Sequence, residues 1–369
     1  MNRYNFYHVL YVGMINIMLF VPTLLINDRF NGAISSMLLA ICYGITQTLI
    51  TMKCFERFAG LGFPELCDRY LPRWITVMNN FIAGVLLWYP AGVIVIYSYS
   101  ETIRMFFYPD MNPYINLLLM ASAAVWGCSR STRTVQFSLE IIVILCSPLL
   151  IMFLVKAILN DKLRLDSILY VAGYVDRPPS IMAFIAATFL FSGTMNLVVF
   201  NRLYTKGFKF RYKWMIPLFG IFFLIVTFFI PIGFHGSVGV QDYVYLWSMT
   251  ADSMQMEYGF INRVLYVFLL LFSGLSLVFV INAWHTSILF IRQSVNRFNQ
   301  ADEHPSARIN ILLAVVAAAL TFLYMRFVDT ERNQLFSEIW LVSRFIAEIL
   351  IMISMLYFAW RSRKEQPCA

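Results

Sequence analysis

In the apolar run Ile181 to Leu203, reading IMAFIAATFLFSGTMNLVVFNRL, the small polar residues Ser192, Gly193, Thr194 and Asn196 interrupt the middle. Hydroxyls, a glycine and an amide at this spacing can loosen a helix. The freed backbone amides then become donors for a ligand carboxylate, assisted by the positive N-terminal dipole of a half-helix. In hydrocarbon every backbone polar group needs a partner, so such a break survives only where it is buried or lines a cavity. Gly13 and Asn16 precede Pro22 in a second candidate break, because proline cannot donate the hydrogen bond that closes the turn before it. Two interrupted helices in corresponding positions are a sequence pointer to a membrane ligand site. The competing reading is that these small residues serve close helix packing.

Arg344 and Glu348 stand four apart, which puts them on one helical face and allows them to pair. Unpaired, each costs about 2.5 to 3.5 kcal/mol at mid-bilayer. Their distance in sequence from the interrupted runs favours a structural or gating pair over ligand contact. Trp88, Tyr89 and Pro90 fall near the centre of another apolar run, and Ser273, Gly274 and Ser276 near the centre of a further one. The hydroxyls among them can bond a ligand or a neighbouring helix. Glu140 is expected at an interface, and Glu101 with Arg104 in solvent. His8, His235, His285 and His304 are scattered, with no HExxH, GxSxG or phosphate-cradling glycine loop, so no enzyme is expected and no catalytic residue is assigned. His285 is expected to be packed or to face headgroups. Cys42, Cys54, Cys67, Cys128, Cys146 and Cys368 have neither CxxC nor zinc spacing, so no metal, cofactor or disulfide framework is expected.

These residues must be positioned by a membrane scaffold. Hydrophobic residues make up 60% of the 369, charged residues only 13%, and the mean hydropathy is +0.70, far from soluble composition. Ten runs approach bilayer length: 7–26, 33–52, 75–99, 114–128, 137–159, 181–203, 214–234, 260–291, 307–327 and 338–360. The fourth is short. The first is expected to remain as a span, since no small-residue cleavage pattern follows it. No linker marks a second domain, so residues 1–369 are read as one all-α polytopic membrane domain. Lys and Arg concentrate before the first run, after the even-numbered runs and in the tail, most densely at Arg202, Lys206, Lys209, Arg211 and Lys213. That bias predicts both termini to be cytoplasmic. The net charge of +8 is accounted for by loops beside anionic headgroups of the bilayer, without nucleic acid. The segment Gly236 to Tyr258 has no Lys or Arg and is expected outside, as a solvated loop or as a cover over the outer mouth.

The stretches MINIMLFVPTLL, SYSETIRMFFYPDMNP, FLFSGTMNLVVFNRL with its following basic loop, and NRVLYVFLLLF resemble the spore germination permeases. These are the B subunits of endospore germinant receptors, within the amino acid/polyamine/organocation transporter superfamily. The resemblance implies ten helices in a five-plus-five inverted repeat of the amino acid permease (LeuT-like) type, with a pocket between the first, third, sixth and eighth. It also implies a spore inner-membrane complex with an A subunit and a lipoprotein C subunit, responding to an amino acid or similar small nutrient. Gly13, Asn16, Ile17, Tyr89, Ser192, Gly193, Thr194, Ser273 and Gly274 are the expected ligand residues, with Arg344 and Glu348 as an intramembrane ion pair. Where members usually carry Gly-x-Gly, this chain has Ile15, Asn16 and Ile17. The two branched side chains favour a small or apolar ligand, or none. Asn262, Arg263 and Val264 stand where Glu-Arg-Phe is usual. A proton- or sodium-coupled amino acid transporter is the alternative, and a scaffold is favoured if side chains fill the pocket.

Overall fold

A computed structural model describes residues 2–107, 109–254, 264–295 and 307–364. Asn262, Arg263, His304 and Cys368, weighed above, and the last residues of the Gly236 to Tyr258 segment lie outside the described residues. Every regular element described is helical. In chain order they are α1 (Asn2–Ile15), α2 (Val21–Asn27), α3 (Ala33–Arg57), α4 (Phe63–Tyr70), α5 (Arg73–Phe106), α6 (Pro113–Cys128), α7 (Thr132–Ile158) and α8 (Leu165–Ala172). Then follow α9 (Ile181–Leu203), α10 (Met215–His235), α11 (Leu246–Asp252), α12 (Val264–Val295), α13 (Ala307–Phe327) and α14 (Thr330–Lys364).

Eight of these are long and apolar enough to cross a bilayer, and α1 with α2 makes a ninth if that bent pair is one span. The chain is therefore a polytopic helical membrane protein. The 16-residue α6 is shorter than a span requires. Two elements run far past their apolar stretches, α5 and α14 reaching 34 and 35 residues, and the start of α5 is amphipathic.

The centre is occupied by α9, whose apolar stretch is 94% buried, against 22% for α13. It packs on α1, α3 and α10, while α12 packs on α5, α6 and α7. Small residues permit the closest approach. A Cβ on Gly193 would sit 2.5 Å from Val9 Cα, so α1 and α9 meet at backbone distance.

Of the two expected breaks, the one before Pro22 is present and the one in α9 is not. In α9 the helix is not interrupted: Phe189–Asn196 is wound as a tighter 3₁₀ segment and the axis continues. Two of its polar side chains are absorbed locally, with Ser192 Oγ donating to Thr188 O at 3.4 Å and Asn196 Nδ2 to Gly193 O at 3.0 Å. The real interruption follows α1, where Asn16–Leu19 tightens, Phe20 takes φ +56° and the chain turns by 61° into α2. Pro22 falls in the first turn of α2, where its missing N–H costs nothing. Asn16 Nδ2 caps the freed Gly13 carbonyl at 2.5 Å.

One end of the bundle gathers most of the cations. Arg3 pairs with Glu140 at 2.9 Å, Lys213 with Glu56 at 2.5 Å, and Arg202 with Glu65 at 2.8 Å. Asn201 Nδ2 donates to the carbonyls of Phe55, Phe58 and Leu61, and Arg361 donates to Tyr70 O at 2.9 Å. The N-terminus of α1 and the C-terminus of α14 therefore share this basic end. At the opposite end Glu101 is buried rather than solvated, 2.6 Å from Arg104.

Candidate functional site

The described part of the segment after α10, residues 236–254, is a packed cover rather than a solvated loop. In α11, Leu246, Trp247, Ser248, Thr250 and Ala251 are buried. Arg29 ties the cover down by donating to Ser237 O at 2.5 Å, Val238 O at 3.3 Å and Gln241 Oε1 at 2.8 Å. Its guanidinium also lies over the Phe30 ring. Beside it Ser180 Oγ donates to Asp28 Oδ2 at 2.5 Å, which fastens the start of α9 to the end of α2. The bundle is closed at this end.

Beneath the cover, Gly13, Asn16 and Ile17 line a cavity together with Phe223, Thr227 and Trp247. Its volume is about 20 Å³, room for one water at most. The Gly13 position is filled by the Phe223 ring, 2.3 Å from where a Cβ would stand. Asn16 Nδ2 also reaches Thr227 Oγ1 at 3.3 Å.

The buried polar centre lies one to two turns toward the basic end. Tyr11 on α1 donates its hydroxyl to Asn196 Oδ1 on α9 at 2.9 Å. Asn282 Nδ2 on α12 reaches the same oxygen at 2.8 Å and also contacts the Tyr11 hydroxyl. Three helices thus meet at one amide oxygen. Asn282 Oδ1 and Thr194 Oγ1 are buried with no hydrogen-bond partner among the described residues, which in low dielectric is costly for a polar group.

On the other face of α9 stands the ion pair. Arg344 Nη1 lies 3.1 Å from Glu348 Oε2 and 2.6 Å from Ser192 Oγ. Its Nη2 donates to Ile185 O at 2.8 Å and Thr188 Oγ1 at 3.0 Å, and Gln47 Nε2 donates to Glu348 Oε2 at 2.9 Å. Both charges are buried and doubly supported, the condition under which an ion pair survives desolvation. Arg344 therefore touches α9 directly despite its distance in sequence.

The remaining expected residues point elsewhere. The Tyr89 hydroxyl bonds Ala317 O and Thr321 Oγ1 on α13. Ser273 lies beside the Tyr99 hydroxyl on α5. Gly274 faces Cys146 and Ile142 of α7. His285 is packed, its nitrogens 2.9 Å from Cys128 O and 3.1 Å from Thr132 Oγ1. Tyr11 and Asn282 were missed; an amide in the middle of the strongly apolar α12 was the available signal for the second. Among the described residues no His, Cys, Asp and Glu gather as a metal site. No protein-family model matches the chain, and no curated protein matches it.

Proposed function

We propose that this chain is the membrane subunit of a spore germinant receptor, with the ten-span, five-plus-five fold that its resemblance implies. Eight long helices, the bent α1–α2 pair and the short α6 are compatible with ten segments. The observation that carries the reading is the meeting of Tyr11, Asn196 and Asn282, since it joins the first, sixth and eighth spans beside the 61° bend. These are three of the four helices expected around the pocket. A nutrient such as an amino acid binds there only when the bundle opens, because Tyr11, Asn196 and Asn282 are buried against one another and the neighbouring cavity holds only about 20 Å³. It therefore binds an open state better than the closed one, and that difference shifts the equilibrium read by an A subunit and a lipoprotein C subunit. Both termini then face the cytoplasm, with the chain in the spore inner membrane.

In spores that depend on this chain, Tyr11→Phe combined with Asn282→Leu should raise the nutrient concentration for half-maximal germination at least tenfold while the protein stays in the membrane. An unchanged response would remove the centre from the site.

A second reading, a proton- or sodium-coupled amino acid transporter, is favoured by Glu348. This carboxylate is buried and reaches α9 through Arg344, and intramembrane acids of this kind carry coupling protons in carriers.

A further inference from the structure

The largest cavity among those described is not the closed centre. It opens at the basic end, holds about 1030 Å³, and is walled by α4, the α6–α7 turn, the segment after α9, and α12. That volume is at the upper limit for small-molecule sites. Among the described residues, Arg57, Arg69, Arg130, Arg202, Lys206 and Arg292 line it, against one carboxylate, Glu65. Glu65 is engaged by Arg202 at 2.8 Å, so the surplus charge of the wall is strongly positive. Arg57, Arg69, Arg130 and Lys206 are exposed, and a concave wall of one sign focuses the field on whatever enters. Tyr204 lines both this cavity and a neighbouring one bordered by Arg3 and Tyr4.

A loop that is basic only to face lipid headgroups needs no concavity of this size. One carboxylate would neutralise a small part of this wall. A ligand carrying several charges on tetrahedral oxygens matches it better, since guanidinium forks bind phosphate bidentately. We infer that the cavity at the basic end binds a multiply charged phosphorylated anion, held by Arg57, Arg69, Arg130 and Lys206. The site is separate from the closed centre, and the inference does not depend on which nutrient, if any, binds there. A soluble polyphosphate compound and the headgroup of an anionic phospholipid share this chemistry.

The test uses the purified full chain in nanodiscs of phosphatidylcholine alone, titrated with tripolyphosphate at constant ionic strength and followed by thermal unfolding and calorimetry. Saturable binding is expected, weakened at least tenfold by Arg57→Gln with Arg130→Gln, both exposed and outside the helix contacts of the core. Lys206→Gln should weaken it less, and Arg332→Gln at the opposite end should leave it unchanged. Lys206→Gln alone decides the matter if the double variant does not fold. In a second arm, nanodiscs containing phosphatidylglycerol distinguish the sources. Loss of tripolyphosphate binding there assigns the site to a lipid headgroup, and retention assigns it to a soluble anion. Absence of binding in phosphatidylcholine, binding unaltered by the cavity variants, or equal competition by polyglutamate would overturn the inference.

Discussion

Arg344 Nη1 lies 2.6 Å from Ser192 Oγ, so one guanidinium near the middle of α14 clasps the tightened segment of α9. The same group holds Glu348 at 3.1 Å and two further oxygen acceptors on α9. Ser192, expected as a ligand residue on a broken helix, is instead the acceptor that couples the last helix to the central one. The pair thereby sits where any movement of α9 must be felt.

Removing one member of this pair strands the other. Arg344→Ala leaves the Glu348 carboxylate with Gln47 alone and should destabilise the protein by about 3 kcal/mol or more. The double change with Glu348→Ala should cost less than the single one. Unfolding of the purified protein in detergent measures both; strictly additive losses would argue against pairing.

Close packing gives a contrast between two glycines. A Cβ at Gly193 meets the Val9 backbone, whereas at Gly13 it meets the Phe223 ring, and a ring can turn while a backbone must shift. Gly193→Ala should therefore cost about 1 to 3 kcal/mol by overpacking, and Gly13→Ala measurably less. The comparison is read from the two melting temperatures, and the reverse order would contradict the packing described.

The amide and phenol at the centre should be energetically coupled. A double-mutant cycle on Tyr11→Phe and Asn282→Ala is expected to give about 0.6 to 1.7 kcal/mol, the range for interhelical hydrogen bonds in membranes. A coupling near zero would mean that the three helices are held by packing alone.

Hydropathy and charge bias made the spans and the shared basic end legible, because lipid leaves helices little alternative. The local states of α1 and α9 were less so. Ser192, Gly193 and Thr194 look like a break, yet Thr188 O and Gly193 O take up two of the polar side chains from within the helix. Phe20 adopts a left-handed backbone conformation that nothing in its residue type announces, since φ > 0 in phenylalanine is imposed by tertiary packing. Arg344 and Glu348 were legible as a pair from spacing alone. Their attachment to Ser192, across 152 residues, required the fold. Tyr89, Ser273 and Gly274 occupy mid-span positions as expected, but they serve contacts with α13, α5 and α7.

The central claim is that the closed polar centre senses a ligand rather than moving one. Uptake of labelled amino acids into proteoliposomes containing this chain alone, under an imposed proton or sodium gradient, tests it most directly. The account predicts that a germinant amino acid raises the melting temperature of the reconstituted protein without accumulating inside the vesicles. Concentrative uptake that Glu348→Gln abolishes would contradict it and assign the chain to transport.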